Sequence, residues 1–243
     1  MPVQFEYRSR TQSPLSTLIG CLPLFLILML MCLLPSLLFD LVRSILTKLG
    51  LSSGVAGLTV LGVFFGSFIN VPVYEFRRDD LQPEVRYGPL GQAFERDYQR
   101  VFSRTQIAIN IGGCLIPVAL AIHQAVRVAG FGNSAILATF IVAGLSIGVC
   151  YRTARPVEGI GIMMPGLVPP ILCVISAWIL LPEASPEERT AAAFIGGVAG
   201  PVIGADLLHL RDVLKTPVGI MSIGGAGTFD GIVLSGMLAA LLS

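Results

Sequence analysis

The chain has 243 residues, 54% of them hydrophobic and only 13% charged, with a formal net charge of +1. A soluble domain carries about a quarter charged residues, so this composition, with its long apolar runs, describes a polytopic membrane protein. A near-neutral chain without a basic tract excludes nucleic acid as an expected partner, and membrane lipids take that place.

Arg8 and Arg10 precede an apolar stretch that is longer than a signal-peptide core, and no small-residue cleavage site follows it. It reads as a first anchor. Seven spans are expected, at about 16–39, 53–73, 106–126, 134–151, 161–181, 191–210 and 218–242. The fourth is short for a hydrocarbon core of about 30 Å. The Gly and Pro content of the fifth to seventh predicts broken or kinked helices. Cys21, Cys32, Cys114, Cys150 and Cys173 all lie inside apolar runs with no close pair, so they read as small membrane-embedded hydrophobes.

Of the 16 Lys and Arg residues, twelve fall on one side of this layout: the N-terminal tail and the 74–105, 152–160 and 211–217 loops. Arg43, Lys48, Arg127 and Arg189 fall on the other. Positive charge stays inside, which puts the N-terminus in the cytoplasm and the C-terminus outside. The expected fold is therefore an all-α bundle, a single transmembrane domain over 1–243. Its one sizeable loop, 74–105, balances six arginines with six acids and reads as a cytoplasmic cap of short helices turning at Gly88-Pro89.

Ionisable groups within a bilayer cost about 2.5–3.5 kcal/mol each on insertion scales, so each marks a candidate site. Asp206, in "GPVIGADLLHL", lies late in the sixth span, and Asp230, in "GGAGTFDGI", lies in the seventh. Each is twelve residues from Val218, beside Pro217, where the chain turns. Folded as a helical hairpin, both carboxylates lie roughly 18 Å from that turn, at matched depth. Small residues flank both, letting helices approach closely. Two carboxylates in contact share a proton, and such a pair performs the acid and base work of an aspartyl hydrolase. A proton- or cation-coupled carrier uses carboxylates at broken helices as well. The plain alternative is that each Asp caps an unwound segment.

Asn70, Asn110, Glu158 and His209 fall near the same level and suggest a hydrated cavity open to the cytoplasm. Asp206 and His209 with Asp230 or Glu158 also form a conceivable metal set, although neither metal nor cofactor is expected. "MMPGLVPP", with Pro165, Gly166 and Leu167, is a further irregular spot at the start of the fifth span.

The runs "INIGGCLIP", "GADLL" and "SIGGAGTFDGI" resemble an uncharacterised family of bacterial and archaeal polytopic membrane proteins, known only as a domain of unknown function. That resemblance implies a prokaryotic cell membrane and carries no activity. A more distant resemblance is to the GxGD intramembrane aspartyl proteases of the presenilin and signal-peptide-peptidase type. It implies an aspartate on each of two adjacent spans, here Asp206 and Asp230, with Gly225 and Gly227 opening the second span. It also implies a proline motif, here Pro165-Gly166-Leu167, beside a transmembrane peptide substrate. Two residues, Thr228 and Phe229, separate the glycine motif from Asp230, and Gly166 stands where that class has alanine. The expected function is an intramembrane diaspartyl hydrolase. The alternatives are a small coupled transporter on the same aspartates and a membrane scaffold without chemistry.

Overall fold

The computed structural model describes residues 14–87, 93–157, 161–213 and 220–243. Glu158, the 214–219 turn, Gly88-Pro89, Arg8 and Arg10 lie outside these residues. The chain divides into two units, Met1–Val42 and Arg43–Ser243. The first is described from Pro14 onward and is helical. Its helix α1, Pro14–Lys48, runs on into the second unit, with Pro23 and Pro35 inside it.

The second unit continues with α2, Ser53–Gly66, whose N-terminus is capped by the Ser52 hydroxyl accepting from the Val55 N–H. Two long strands follow, β1 (Asn70–Tyr87) and β2 (Ala93–Asn110), paired antiparallel from Asn70↔Asn110 to Tyr87↔Ala93. This corrects the expectation of short helices in the 74–105 loop and shortens the second and third spans, whose ends are strand. The reason is local. Pro72 and Pro83 would break a helix, whereas β1 is the outer strand in the order β1-β2-β5, where a missing N–H is tolerated.

A π-helical turn, Ile111–Leu115, leads into α3, Ile116–Ala129. Helix α4, Asn133–Thr153, has 21 residues, about 31 Å at the helical rise, so the fourth span is not short. The fifth begins as strand: β3 (Arg155–Val157) pairs with β4 (Gly161–Met163) before the 13-residue α5, Val168–Leu180. Helix α6, Pro186–Ala199, passes through a π-helical stretch, Gly200–Leu207, into α7, Leu208–Val213. Strand β5, Ile220–Ile223, lies parallel to Gln106–Ile109 of β2. A tight turn, with a 3-10 segment at Gly227–Phe229, then leads to α8, Gly231–Leu242.

Among the described residues four helical stretches are long and apolar enough to cross a membrane: Phe25–Lys48, Ile111–Ala129, Asn133–Thr153 and Pro186–Asp212. Helices α2, α5 and α8 are apolar but shorter. The molecule is thus a mostly helical membrane protein that carries a sheet the composition did not announce.

The α6–α7 helix is the centre of packing. Gly196, Gly200 and Gly204 recur every fourth residue and press against Val142, Ser146, Ile147 and Cys150 of α4. On the neighbouring face a Cβ at Gly197 would lie 2.8 Å from the Ser235 carbonyl oxygen of α8. Without a hydrophobic drive between helices in lipid, such close approach supplies the van der Waals contact that holds them. Cys114, Cys150 and Cys173 are buried free thiols.

At one end of this unit Arg127 fastens three segments. Its guanidinium donates to the Leu49 carbonyl at 2.6 Å, to Gln124 Oε1 at 3.2 Å and to Glu187 Oε2 at 2.9 Å. Ser243 reaches Thr190 and Lys48 reaches the Leu241 carbonyl at the same end. The start of α8, and with it Asp230, therefore lies at the opposite end.

Candidate functional site

Asp206 sits in the π-helical stretch, where Pro201 offers no N–H to the helical ladder. Single π-helical turns within α-helices often mark sites, because the altered pitch re-aims a side chain. Asp206 is half-buried and accepts no hydrogen bond among the described residues.

Asp230 stands at the foot of α8 as its N-cap. Its Oδ1 accepts from the Ile232 N–H at 2.9 Å and its Oδ2 from the Ala226 N–H at 3.3 Å. The preceding turn is built on glycine. Gly224 and Gly227 have φ of 72° and 62°, the left-handed region. Two bonds close the turn: the Gly225 N–H donates to the Ser222 carbonyl at 3.1 Å and the Gly227 N–H to the Gly224 carbonyl at 2.9 Å.

Both aspartates line one cavity of about 490 Å³. Its walls are β4 with Met163 and the following Met164, the π-helical stretch with Pro201 and Ala205, and the β5 turn with Met221, Ser222 and Gly225. The expectation of a helical hairpin with matched twelve-residue arms is corrected. One arm is helix as far as Val213, whereas the other contains strand β5 and the glycine turn, and Asp230 precedes its helix instead of lying within it. Strand pairing with β2, not an α-helical hairpin, brings this arm to the cavity.

The remaining expected site residues divide. Gly225 and Gly166 line the cavity; Gly227, Pro165, Leu167, Asn70, Asn110 and His209 do not. Gly227 instead packs on Ser67, whose Cβ would lie 2.5 Å from an added Cβ. Leu167 stands exposed just ahead of α5. His209 is buried, its Nδ1 3.0 Å from the Ala205 carbonyl oxygen, its ring against Tyr151. Among the described residues no three His, Cys, Asp or Glu side chains converge where they could hold an ion.

Asn70 and Asn110 form a framework behind the turn. Asn110, wholly buried, caps the π-turn by accepting from the Gly113 N–H at 2.7 Å and donates to the Ser67 carbonyl at 2.8 Å and to Asn70 Oδ1 at 3.1 Å. Ser67 Oγ in turn lies 3.0 Å from Thr228 Oγ1. The wall residues that sequence reasoning passed over are Ser222 and the methionines Met163, Met164 and Met221. Only the irregular "MMPG" run and the position of Ser222 beside the glycines hinted at them.

Residues 64–242 match the model of a family described as "Protein of unknown function (DUF1614)". No curated protein matches the chain, and no solved structure does.

Proposed function

We propose a hydrolytic function for this chain, which belongs to the DUF1614 family: it is an intramembrane diaspartyl hydrolase that cuts a membrane peptide. The observation that carries the reading is the single cavity of about 490 Å³ lined by both Asp206 and Asp230. Asp230, held by two N–H donors, acts as the base, and Asp206, which accepts no hydrogen bond among the described residues, carries the proton. Asp230 takes a proton from water as the water oxygen attacks the peptide carbonyl carbon, and Asp206 gives its proton to the carbonyl oxygen. Collapse of the gem-diol breaks the C–N bond. The Asp230 proton moves to the leaving nitrogen, and a hydroxyl proton returns to Asp206. Strand β5 favours an extended peptide as substrate, since it is the last strand of its sheet among the described residues and Met221 and Ser222 line the cavity.

A coupled carrier is the second reading, favoured by the way a π-helical stretch and the turn at residues 224–226 both line the cavity. The protein acts in a prokaryotic cell membrane, with the cavity toward the cytoplasm. Purified protein in liposomes, given a panel of membrane peptides, separates the readings. Wild type cleaves, while Asp206→Asn and Asp230→Asn each lose cleavage. Cleavage that survives either substitution overturns the diaspartyl mechanism, and proton flux without cleavage establishes the carrier.

A further inference from the structure

The polarity of one hydroxyl in the cavity wall follows from a chain of hydrogen bonds that begins at the backbone. The Gly113 N–H is necessarily a donor, so the atom of Asn110 that faces it at 2.7 Å is its carbonyl oxygen. The Asn110 amide nitrogen then points the other way, to the Ser67 carbonyl at 2.8 Å, an obligatory acceptor. Both ends of Asn110 agree, and its orientation is fixed.

That same nitrogen lies 3.1 Å from the Asn70 side chain. Two NH2 groups do not face each other at that distance, so Asn70 presents its Oδ1. Ser222 Oγ lies 2.5 Å from this oxygen, within the range of an O–H···O bond, and an amide oxygen has no proton to give. The Ser222 hydroxyl therefore donates to Asn70. Its hydrogen is committed, and only lone pairs remain for the cavity that Ser222 lines. Gly225 keeps that oxygen uncovered, because a Cβ there would sit 3.3 Å from Ser222 Oγ.

We propose that Ser222 binds the substrate as an obligate acceptor, taking a backbone N–H of the peptide, and that Asn70 and Asn110 are positioning residues that set this polarity. The inference rests on the peptide-hydrolase reading and assigns it a substrate contact. A peptide N–H fits because it needs a lone pair, and on the hydrolase reading the two carboxylates of the same cavity are engaged at the scissile group. An ester oxygen in the same place meets only lone pairs and is repelled.

The test uses the full chain in lipid nanodiscs, with Asp206→Asn in every variant so that the probe stays intact. The probe is a fluorescein-labelled, Leu/Ala-rich transmembrane peptide, with a series in which one backbone amide at a time is N-methylated or replaced by an ester. Binding is read by anisotropy. In the parent, one position is expected to be sensitive, with binding weakened about three- to tenfold, the worth of one neutral hydrogen bond. Ser222→Ala weakens the unmodified peptide by a similar factor and erases the sensitivity at that position alone, and Ser222→Thr restores it. Asn70→Ala frees the hydroxyl proton, so the ester penalty at that position shrinks while the fold, judged by elution profile, stays intact. An N-methyl profile that persists unchanged in Ser222→Ala overturns the proposal, as does failure of every peptide in the series to bind. If the binding series behaves as expected but wild-type protein cleaves no peptide, the hydrolase reading falls and the Ser222 contact stands.

Discussion

On the proposed hydrolase reading Asp230 has two tasks, which a substitution series can separate. Its oxygens cap α8 and the glycine turn, while its cavity face is available for chemistry. Asn retains an oxygen for the Ile232 N–H; Ala retains none. Asp230→Ala is therefore expected to be less stable than Asp230→Asn by about 1 kcal/mol, the usual worth of an N-cap, while both lack activity. Thermal unfolding in detergent measures the first difference and peptide cleavage the second; equal stability of the two variants would remove the cap. Asp206→Asn, with no hydrogen bond to lose among the described residues, is expected to match wild type in the same melt. At this scale the sequence made the two aspartates legible, because a charge in an apolar run has few cheap explanations. It could not sort the other polar residues. Asn110 and His209 stood out as polar residues in the same way, yet His209 Nδ1 lies against the backbone one turn earlier and Asn110 spends its amide on the Gly113 and Ser67 backbone and on Asn70. Ser222, which faces the cavity, is an ordinary residue in any sequence. Which way a side chain turns is a property of its partners, and those partners are up to 152 residues away.

Between elements, the decisive contact is a crossing of three backbones without side chains between them. A Cβ on Gly113 of the π-turn would collide with the Gly224 carbonyl oxygen, and one on Gly224 would lie 2.7 Å from the Cys114 nitrogen. Gly112 meets the end of α2 in the same way, 2.5 Å from the Ser67 nitrogen. The run "NIGG" and the run "IGGAG" are thus two halves of one joint, which holds the Asp230 turn against the π-turn. Gly113→Ala forces backbone apart where no rotamer can yield, and a cost of about 1–3 kcal/mol is expected, as for other overpacked sites. Detergent melting and the yield of monodisperse protein check this, with Gly144→Ala, which has open space around it, as the control that stays unchanged. The helices were legible from apolar length. The strands were not, since β5 is four residues that pair with Gln106–Ile109, more than a hundred residues earlier. Composition along a short window cannot report so distant a partner. The prolines of β1 did carry a usable signal, as Pro72 and Pro83 both argue against a helical cap.

At the scale of the whole molecule, charge and fold give a joint expectation about sidedness. Within the Arg43–Ser243 unit, the Arg127–Glu187 pair and the Ser243–Thr190 bond gather the ends of α3 and α8 with the start of α6. The start of α8 and the β1–β2 ribbon, tied to β5 by its base, belong to the opposite end. The six arginines of 74–105 lie in the two strands of that ribbon, so by the positive-inside rule the ribbon and the aspartate cavity are expected on the cytoplasmic side. Substrate would then reach Asp206 and Asp230 from the inner leaflet. Single cysteines introduced into a cysteine-free background test this in intact cells. Tyr74 and Glu183 are both exposed, the first in β1, the second between α5 and α6 at the clamp end. A membrane-impermeant maleimide is expected to label Glu183→Cys in intact cells and Tyr74→Cys only after permeabilisation. The reversed pattern would put the cavity on the outer face. It would leave the two aspartates in one cavity, but it would exchange the leaflet from which a peptide arrives and the direction in which a carrier would draw protons.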